Sequence, residues 1–154
     1  MAADVPVLLI GCQSEHLMLR PLRRAFPERM DEWDGNALVV DVTVQVGAFS
    51  ARIEASFMWA QEFERFRDQF VALHRSLKGE AEFANIDGWV SIRVVGDGLG
   101  HLTARCKVTD QPGTGSSLAF EIAFDQTEMP PMIEALDAIV RAFPVIGRGN
   151  RPRA

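Results

Sequence analysis

At Phe57 the spacing of the apolar residues changes, and that change constrains the chain more than any other feature. Before it, every second residue is apolar: Leu38, Val40, Val42, Val44 and Val46, then, past Gly47, Phe49, Ala51, Ile53, Ala55 and Phe57. Side chains of a strand point alternately to opposite faces, so this period of two buries one face and wets the other. The β-branched valines favour the extended backbone. Gly47 can take the positive φ that a tight connection needs, and two strands joined so closely must be antiparallel. Beyond Phe57, Trp59, Phe63, Phe66, Phe70, Leu73 and Leu77 are spaced four, three, four, three and four. That is one stripe along a helix, with Gln61, Glu62, Glu64, Arg65, Arg67, Asp68 and Gln69 on its other side. A helix of about twenty residues is roughly 30 Å long, enough to cross a small sheet. The stripe is expected to pack on the hairpin's apolar face, and Gly79 to stop the helix.

The rest of the chain is read outward from this unit. Val5 to Ile10 forms a short first strand, and Glu15 to Arg20 its hairpin partner. From Pro21 to Asn36 the pattern breaks over 16 residues, with Pro21, Pro27 and Gly35 among mixed charges and Trp33 just before an Asp34-Gly35-Asn36 turn signal. So long a connection in a compact domain is often functional, although Phe26 and Trp33 would also serve simply to pin it. Strands are predicted at Glu80 to Ala84 and at Val90 to Val94. After the turn Gly96-Asp97-Gly98-Leu99-Gly100, two more follow at Leu102 to Val108 and Leu118 to Phe124, separated by a flexible loop. A second helix runs from about Thr127 to Phe143, with Pro130 and Pro131 tolerated in its first turn and Asp125 or Thr127 as cap.

No sequence repeat and no internal boundary is seen. The half-wet strands indicate an antiparallel rather than a doubly wound parallel sheet. The expected architecture is α+β: a single antiparallel sheet of six or seven strands, in the order ββ-ββ-α-βββ(β)-α, with both helices on its apolar face. Residues 1–147 would form one domain and 148–154 a disordered basic tail carrying Arg148, Arg151 and Arg153.

Charge narrows the partners. The net charge is −5, and without the three tail arginines the balance is 13 basic residues against 21 acidic, or −8. An acidic body argues against nucleic acid or an anionic membrane as partner. No apolar run reaches the length of a membrane span, and the N-terminal stretch lacks the basic region of a signal peptide, so a cytoplasmic protein is expected. Cys12 and Cys106 are too few for a disulfide framework or a structural zinc site, and Cys106 reads as a buried free thiol.

Catalytic signals are sparse. Gly96 to Gly100 leads into a strand and not into the helix that a phosphate loop requires. GxSxG and HExxH motifs are absent from the sequence. His16, His74 and His101 are too scattered for a local metal site, although folding could bring His101, Asp97 and Glu121 together. No catalytic, cofactor or metal residue is therefore assigned. The carboxylates Glu62, Glu64 and Asp68 on the exposed helix face, followed by Glu80, Glu82 and Asp87, form either a solvated face or an acidic docking surface for a basic protein.

Several short motifs, taken together, are similar to one family. Trp33-Asp34-Gly35-Asn36 leads into an alternating strand, Glu62-Phe63 and Phe66 open the helix, and Leu77-Lys78-Gly79-Glu80-Ala81 closes it. A Gly100 hairpin follows, and Phe124-Asp125-Gln126-Thr127 precedes the last helix. Over about residues 14 to 144 the chain resembles the WapI-type immunity proteins and related uncharacterised bacterial proteins. The resemblance implies a small cytoplasmic protein that binds and neutralises a toxin domain and catalyses nothing. The loop at Arg20 to Arg29 and the arginine-rich tail have no counterpart in it. Candidate partner-binding residues are Trp33, Asp34, Glu62, Glu64, Asp68, Glu80 and Glu82, facing a protein that could be a basic toxin domain. The alternative is a small-ligand binder or enzyme with its site between helices and sheet, and a homodimer through a free sheet edge fits either reading.

Overall fold

The computed structural model describes residues 5–148. Eight strands and two helices succeed one another: β1 (Leu8–Gly11), β2 (His16–Arg24), β3 (Ala37–Val46), β4 (Phe49–Trp59), α1 (Ala60–Ser76), β5 (Lys78–Ala84), β6 (Val90–Asp97), β7 (His101–Thr109), β8 (Ser117–Asp125) and α2 (Met129–Ala142). The strands make two four-stranded antiparallel meanders, β1-β2-β3-β4 and β5-β6-β7-β8. The expected single sheet of six or seven strands is thus corrected. The chain runs four strands and a helix twice over, a repeat of architecture that its residues do not betray. The reason is local: α1 intervenes after β4, so β5 starts a new sheet instead of extending the first.

The hydrophobic core is continuous across both halves and takes in the inner faces of both sheets and both helices. The aromatic stripe of α1 is buried as its spacing requires, with Phe63, Phe66 and Phe70 fully inaccessible. It does not lie chiefly on the hairpin preceding it. α1 packs mainly along β5 and against α2, and Phe83 of β5 meets the rings of Phe63 and Phe66 at centroid distances of 5.1 and 5.9 Å. Burying a phenylalanine side chain contributes about 1.5–3 kcal/mol, so this cluster dominates the second half of the core. α2 crosses back to β1, and β1 runs beside β8.

Two departures from strict alternation have identifiable causes. In β4, Glu54 and Ala55 together oppose the single residue Asp41, since Val42 faces Ile53 and Val40 faces Ser56. Ala55 takes φ 60° there, and the carboxylate of Asp41 accepts its N–H at 3.0 Å. This bulge shifts the register by one, so Ser56 and Met58 turn inward, while Phe57, expected inside, is 40% exposed. The second departure is at the end of α1. The helix stops at Leu77, which adopts φ 61° as a left-handed cap, and not at Gly79. α2 begins after a single 3-10 turn at Gln126–Glu128, where Asp125 accepts the N–H of Thr127 at 2.9 Å and Glu128 reaches back to the N–H of Asp125 at 2.7 Å. Arg148, the first residue of the expected basic tail, pairs with Glu64, and 149–154 lie outside the described residues.

Candidate functional site

At the N-terminus of α1 a buried carboxylate joins the end of β4 to the loop after β5. Glu62 is 7% exposed, so it does not lie on the solvent face where its helical position first places it. Its Oε1 accepts from the backbone N–H of Trp59 at 2.8 Å and from Asn85 Nδ2 at 2.9 Å, and its Oε2 from the N–H of Ile86 at 2.7 Å. Asn85 also donates to the carbonyl of Phe57 on β4 at 3.0 Å and accepts from the N–H of Trp89 at 2.9 Å. The last residues of β4, the first turn of α1 and the loop after β5 are thereby held as one piece. Burial pushes the Glu62 carboxyl above its ordinary range and Asp87 adds to the rise, while the three donors oppose it.

Next to this junction lies the irregular connection between β2 and β3. The carboxylate of Asp31 accepts the N–H groups of Trp33 and Asp34 at 2.9 and 2.7 Å, fixing the turn that presents Trp33. Asn36 donates to the carbonyls of Glu32 and Ile146 at 2.7 and 2.9 Å, and Ile146 donates back at 2.9 Å. Arg24 donates to the carbonyls of Gly35 and Pro144 at 2.8 and 2.6 Å. Polar bonds fasten this loop, then, and not Phe26, which stays exposed.

Between loop and junction opens a groove of about 620 Å³, lined by Glu32, Trp33, Trp59, Gln61, Glu62, Arg65, Ala84, Asn85 and Ile86. Trp33 stacks on Trp59 with centroids 4.9 Å apart and planes inclined by 25°. Trp33 is nevertheless 52% exposed, and Ile86, another lining residue, is 65% exposed. Gln61 donates through Nε2 to the Glu32 carbonyl at 2.7 Å. Among the described residues, Trp59 Nε1 and Gln61 Oε1 are buried polar atoms without a hydrogen-bond partner.

The candidate residues separate into distinct places. Trp33 and Glu62 line the groove. Asp34 sits on the loop in a 3.3 Å ion pair with Arg29. Glu64 pairs with Arg148, Asp68 with Arg67 at 2.9 Å, and Glu80 with Arg93 through two contacts of 2.6 and 2.7 Å. Glu82 is exposed on β5, where its N–H is held by Gln69 at 2.8 Å. His101 and Asp97 do meet, at 2.8 Å, but Glu121 is engaged by Arg105 at 3.3 Å. No cluster of three or more potential metal ligands occurs among the described residues, and none of their helices is long and apolar enough to cross a membrane. Sequence reasoning did not single out Trp59, Gln61, Asn85 or Ile86 as site residues. Asn85, Ile86 and the following Asp87-Gly88 carry the composition of a turn, and nothing in that composition signals a site.

The architecture is that of a two-sheet α+β fold, each four-stranded meander followed by one helix. The chain belongs to the immunity protein WapI-like family, whose sequence profile matches residues 8–144. Comparison with curated proteins finds no match. Solved structures give distant likenesses. Crystal structures of Trypanosoma bruciei MRP1/MRP2 share 15% identity at a TM-score of 0.48, over 92% of this chain and 88% of that one. A guideRNA-binding protein complex bound to a gRNA shares 14% identity at 0.49, over 90% and 91%. Likenesses so remote carry nothing about what this chain binds.

Proposed function

We propose that this chain binds a toxin protein and neutralises it by covering a surface of it, without catalysis and in the cytoplasm. Membership of the immunity protein WapI-like family over residues 8–144 is the observation that carries the reading. The exposed Trp33 and the acids around the first helix support a protein partner of basic character. Tryptophan is enriched among the residues that dominate binding energy at interfaces. Glu64, Asp68 and Glu80 each have an arginine beside them, so in this reading they steer the partner more than they hold it, and exposed pairs of that kind add little affinity.

The test begins with a tagged pull-down from the producing organism at low and high salt. Each captured protein is then expressed with and without the chain. Growth restored by co-expression, together with a salt-sensitive stoichiometric complex, is the expected outcome. Captured proteins whose toxicity the chain leaves unchanged would overturn the proposal.

A further inference from the structure

We infer that this chain pairs with a second copy of itself through the free edge of β4, the two strands running antiparallel about Ala51. The pairing is separate from toxin neutralisation: Phe49 to Glu54 contribute no residue to the groove at Trp33.

A sheet edge presents a row of unpaired N–H and C=O groups, which proteins commonly cover or disguise. The two meanders have four edge strands, β1, β4, β5 and β8. β5 lies along α1, and Gln69 accepts the N–H of Glu82 at 2.8 Å. β1 spans only four residues and touches both α2 and β8. β4 is the longest, at 11 residues. Among the described edge strands it alone carries large exposed apolar side chains, Phe49 at 63% and Phe57 at 40%. Phe49 stands opposite Val46, a core residue, so its exposure is that of an inner face left open at its margin.

The hairpin dictates which backbone groups are free. Val46 and Phe49 close a two-residue turn as a hydrogen-bonded pair, so Phe49, Ala51 and Ile53 direct their N–H and C=O groups to β3, while Ser50 and Arg52 point theirs outward. Among the described residues nothing bonds to those outward groups. The regular edge is bounded by the turn at Gly47 on one side and by the bulge at Ala55 on the other. Few two-fold registers fit between them. Centred on Ser50, the pairing runs into the turn. Centred on Arg52, it sets that guanidinium directly against its own copy, which is repulsive. Centred on Ile53, it sets Ala51 against the left-handed Ala55, where the ladder is broken. Centred on Ala51, Ser50 and Arg52 of one copy exchange backbone hydrogen bonds with Arg52 and Ser50 of the other, and no like charges stand directly opposite. Phe49 then lies across from Ile53 of the second copy on the core-side face, an aromatic–β-branched pair that sheets favour. The small Ala51 at the axis leaves room for both.

The test is sedimentation velocity on the full chain from about 1 to 500 μM, because so short a pairing buries less than the roughly 1,200–2,000 Å² of a stable interface and associates weakly. A reversible monomer–dimer equilibrium is expected. Phe49→Lys and Ser50→Pro should each raise the dimer dissociation constant at least tenfold. The Tm of the dilute chain should stay unchanged, since Phe49 is exposed and proline is tolerated where an edge N–H faces outward. In a Cys12→Ser background, which removes the exposed thiol, Ala51→Cys should give a disulfide-linked dimer on oxidation. Residues opposite one another in a non-hydrogen-bonded pair have Cα atoms about 4.5 Å apart, within reach of a disulfide. Arg52→Cys in the same background should cross-link at least fivefold more slowly. A chain that stays monomeric throughout would overturn the proposal and leave the edge to a strand of another protein. A dimer that survives both edge variants would also overturn it, as would faster cross-linking in Arg52→Cys than in Ala51→Cys. None of these outcomes bears on whether the chain neutralises a toxin.

Discussion

The side chains of Glu62 and Asn85 meet at 2.9 Å beneath the first turn of α1, and through them the end of β4 and the loop after β5 share one polar joint. Asn85 bridges the Glu62 carboxylate, the Phe57 carbonyl and the Trp89 amide. Asn85→Ala would leave an acceptor on β4, a donor before β6 and part of a buried carboxylate without partners. A loss of about 3 kcal/mol in unfolding free energy is expected, measured by urea denaturation. An effect below about 1 kcal/mol would mean that water reaches this joint.

The same carboxylate sets a pH dependence. Burial raises the Glu62 pKa in the folded chain above its ordinary 4.5. Between those two values the folded state binds more protons than the unfolded one, so stability falls as pH rises through that window and is flat above it. In Glu62→Gln this component disappears. The difference in unfolding free energy, parent minus variant, should therefore shrink as pH rises from 4 towards neutrality, as read by denaturation across that range. A difference that grows with pH would show that the three hydrogen bonds outweigh burial.

Gly96 illustrates a glycine needed for close approach. A Cβ there would lie 2.4 Å from the carbonyl oxygen of Leu77 and 3.2 Å from Leu73 Cδ1. The left-handed cap of α1 presses its carbonyl onto β6, and that carbonyl also accepts from Gly98 at 2.8 Å. Gly96→Ala should cost about 2 kcal/mol through overpacking, visible as a lowered urea midpoint.

These cases show what the sequence could and could not express. Strand alternation and the aromatic stripe are properties of single segments, and they located β3, β6, β7, β8 and α1 correctly. Alternation failed in β4 because the bulge at Ala55 depends on Asp41 across the ladder, a partner that periodicity cannot see. The division into two sheets failed for a related reason: whether β5 joins the first sheet depends on where α1 packs. Trp33 stood out on its own, but Glu62 has the helical position of a surface acid and becomes buried only because Asn85 and Ile86 fold over it. The groove is assembled from three stretches of the chain, 32–33, 59–65 and 84–86, and the last of them carries no signal in the sequence.

The two thiols should behave differently. Burial pushes Cys106 up to about 12, whereas exposed Cys12 is held below its usual value by the Ser14 hydroxyl and neighbouring backbone N–H groups. Because the thiolate is the reactive form, Ellman's reagent at pH 8 should modify one thiol rapidly and the second only after denaturant is added. Cys12→Ser should abolish the fast phase. Rapid reaction of both thiols in the native chain would contradict the packing of β7.

Charge reversal separates steering from holding. Glu64 and Asp68 lie on the exposed side of α1 with Arg148 and Arg67 beside them, so their net field is small at short range and the pairs are screened by salt. The double variant Glu64→Lys, Asp68→Lys should slow association with a basic partner several-fold at low ionic strength, with little change in the dissociation rate, and the difference should vanish at high salt. Trp33→Ala should do the opposite, speeding dissociation at every salt concentration, because a stacked aromatic anchor acts after the encounter. Surface plasmon resonance on the identified toxin resolves the two rates. A charge-reversal variant whose defect lies in dissociation, or a Trp33 variant with unaltered dissociation, would move the contact surface away from the start of α1.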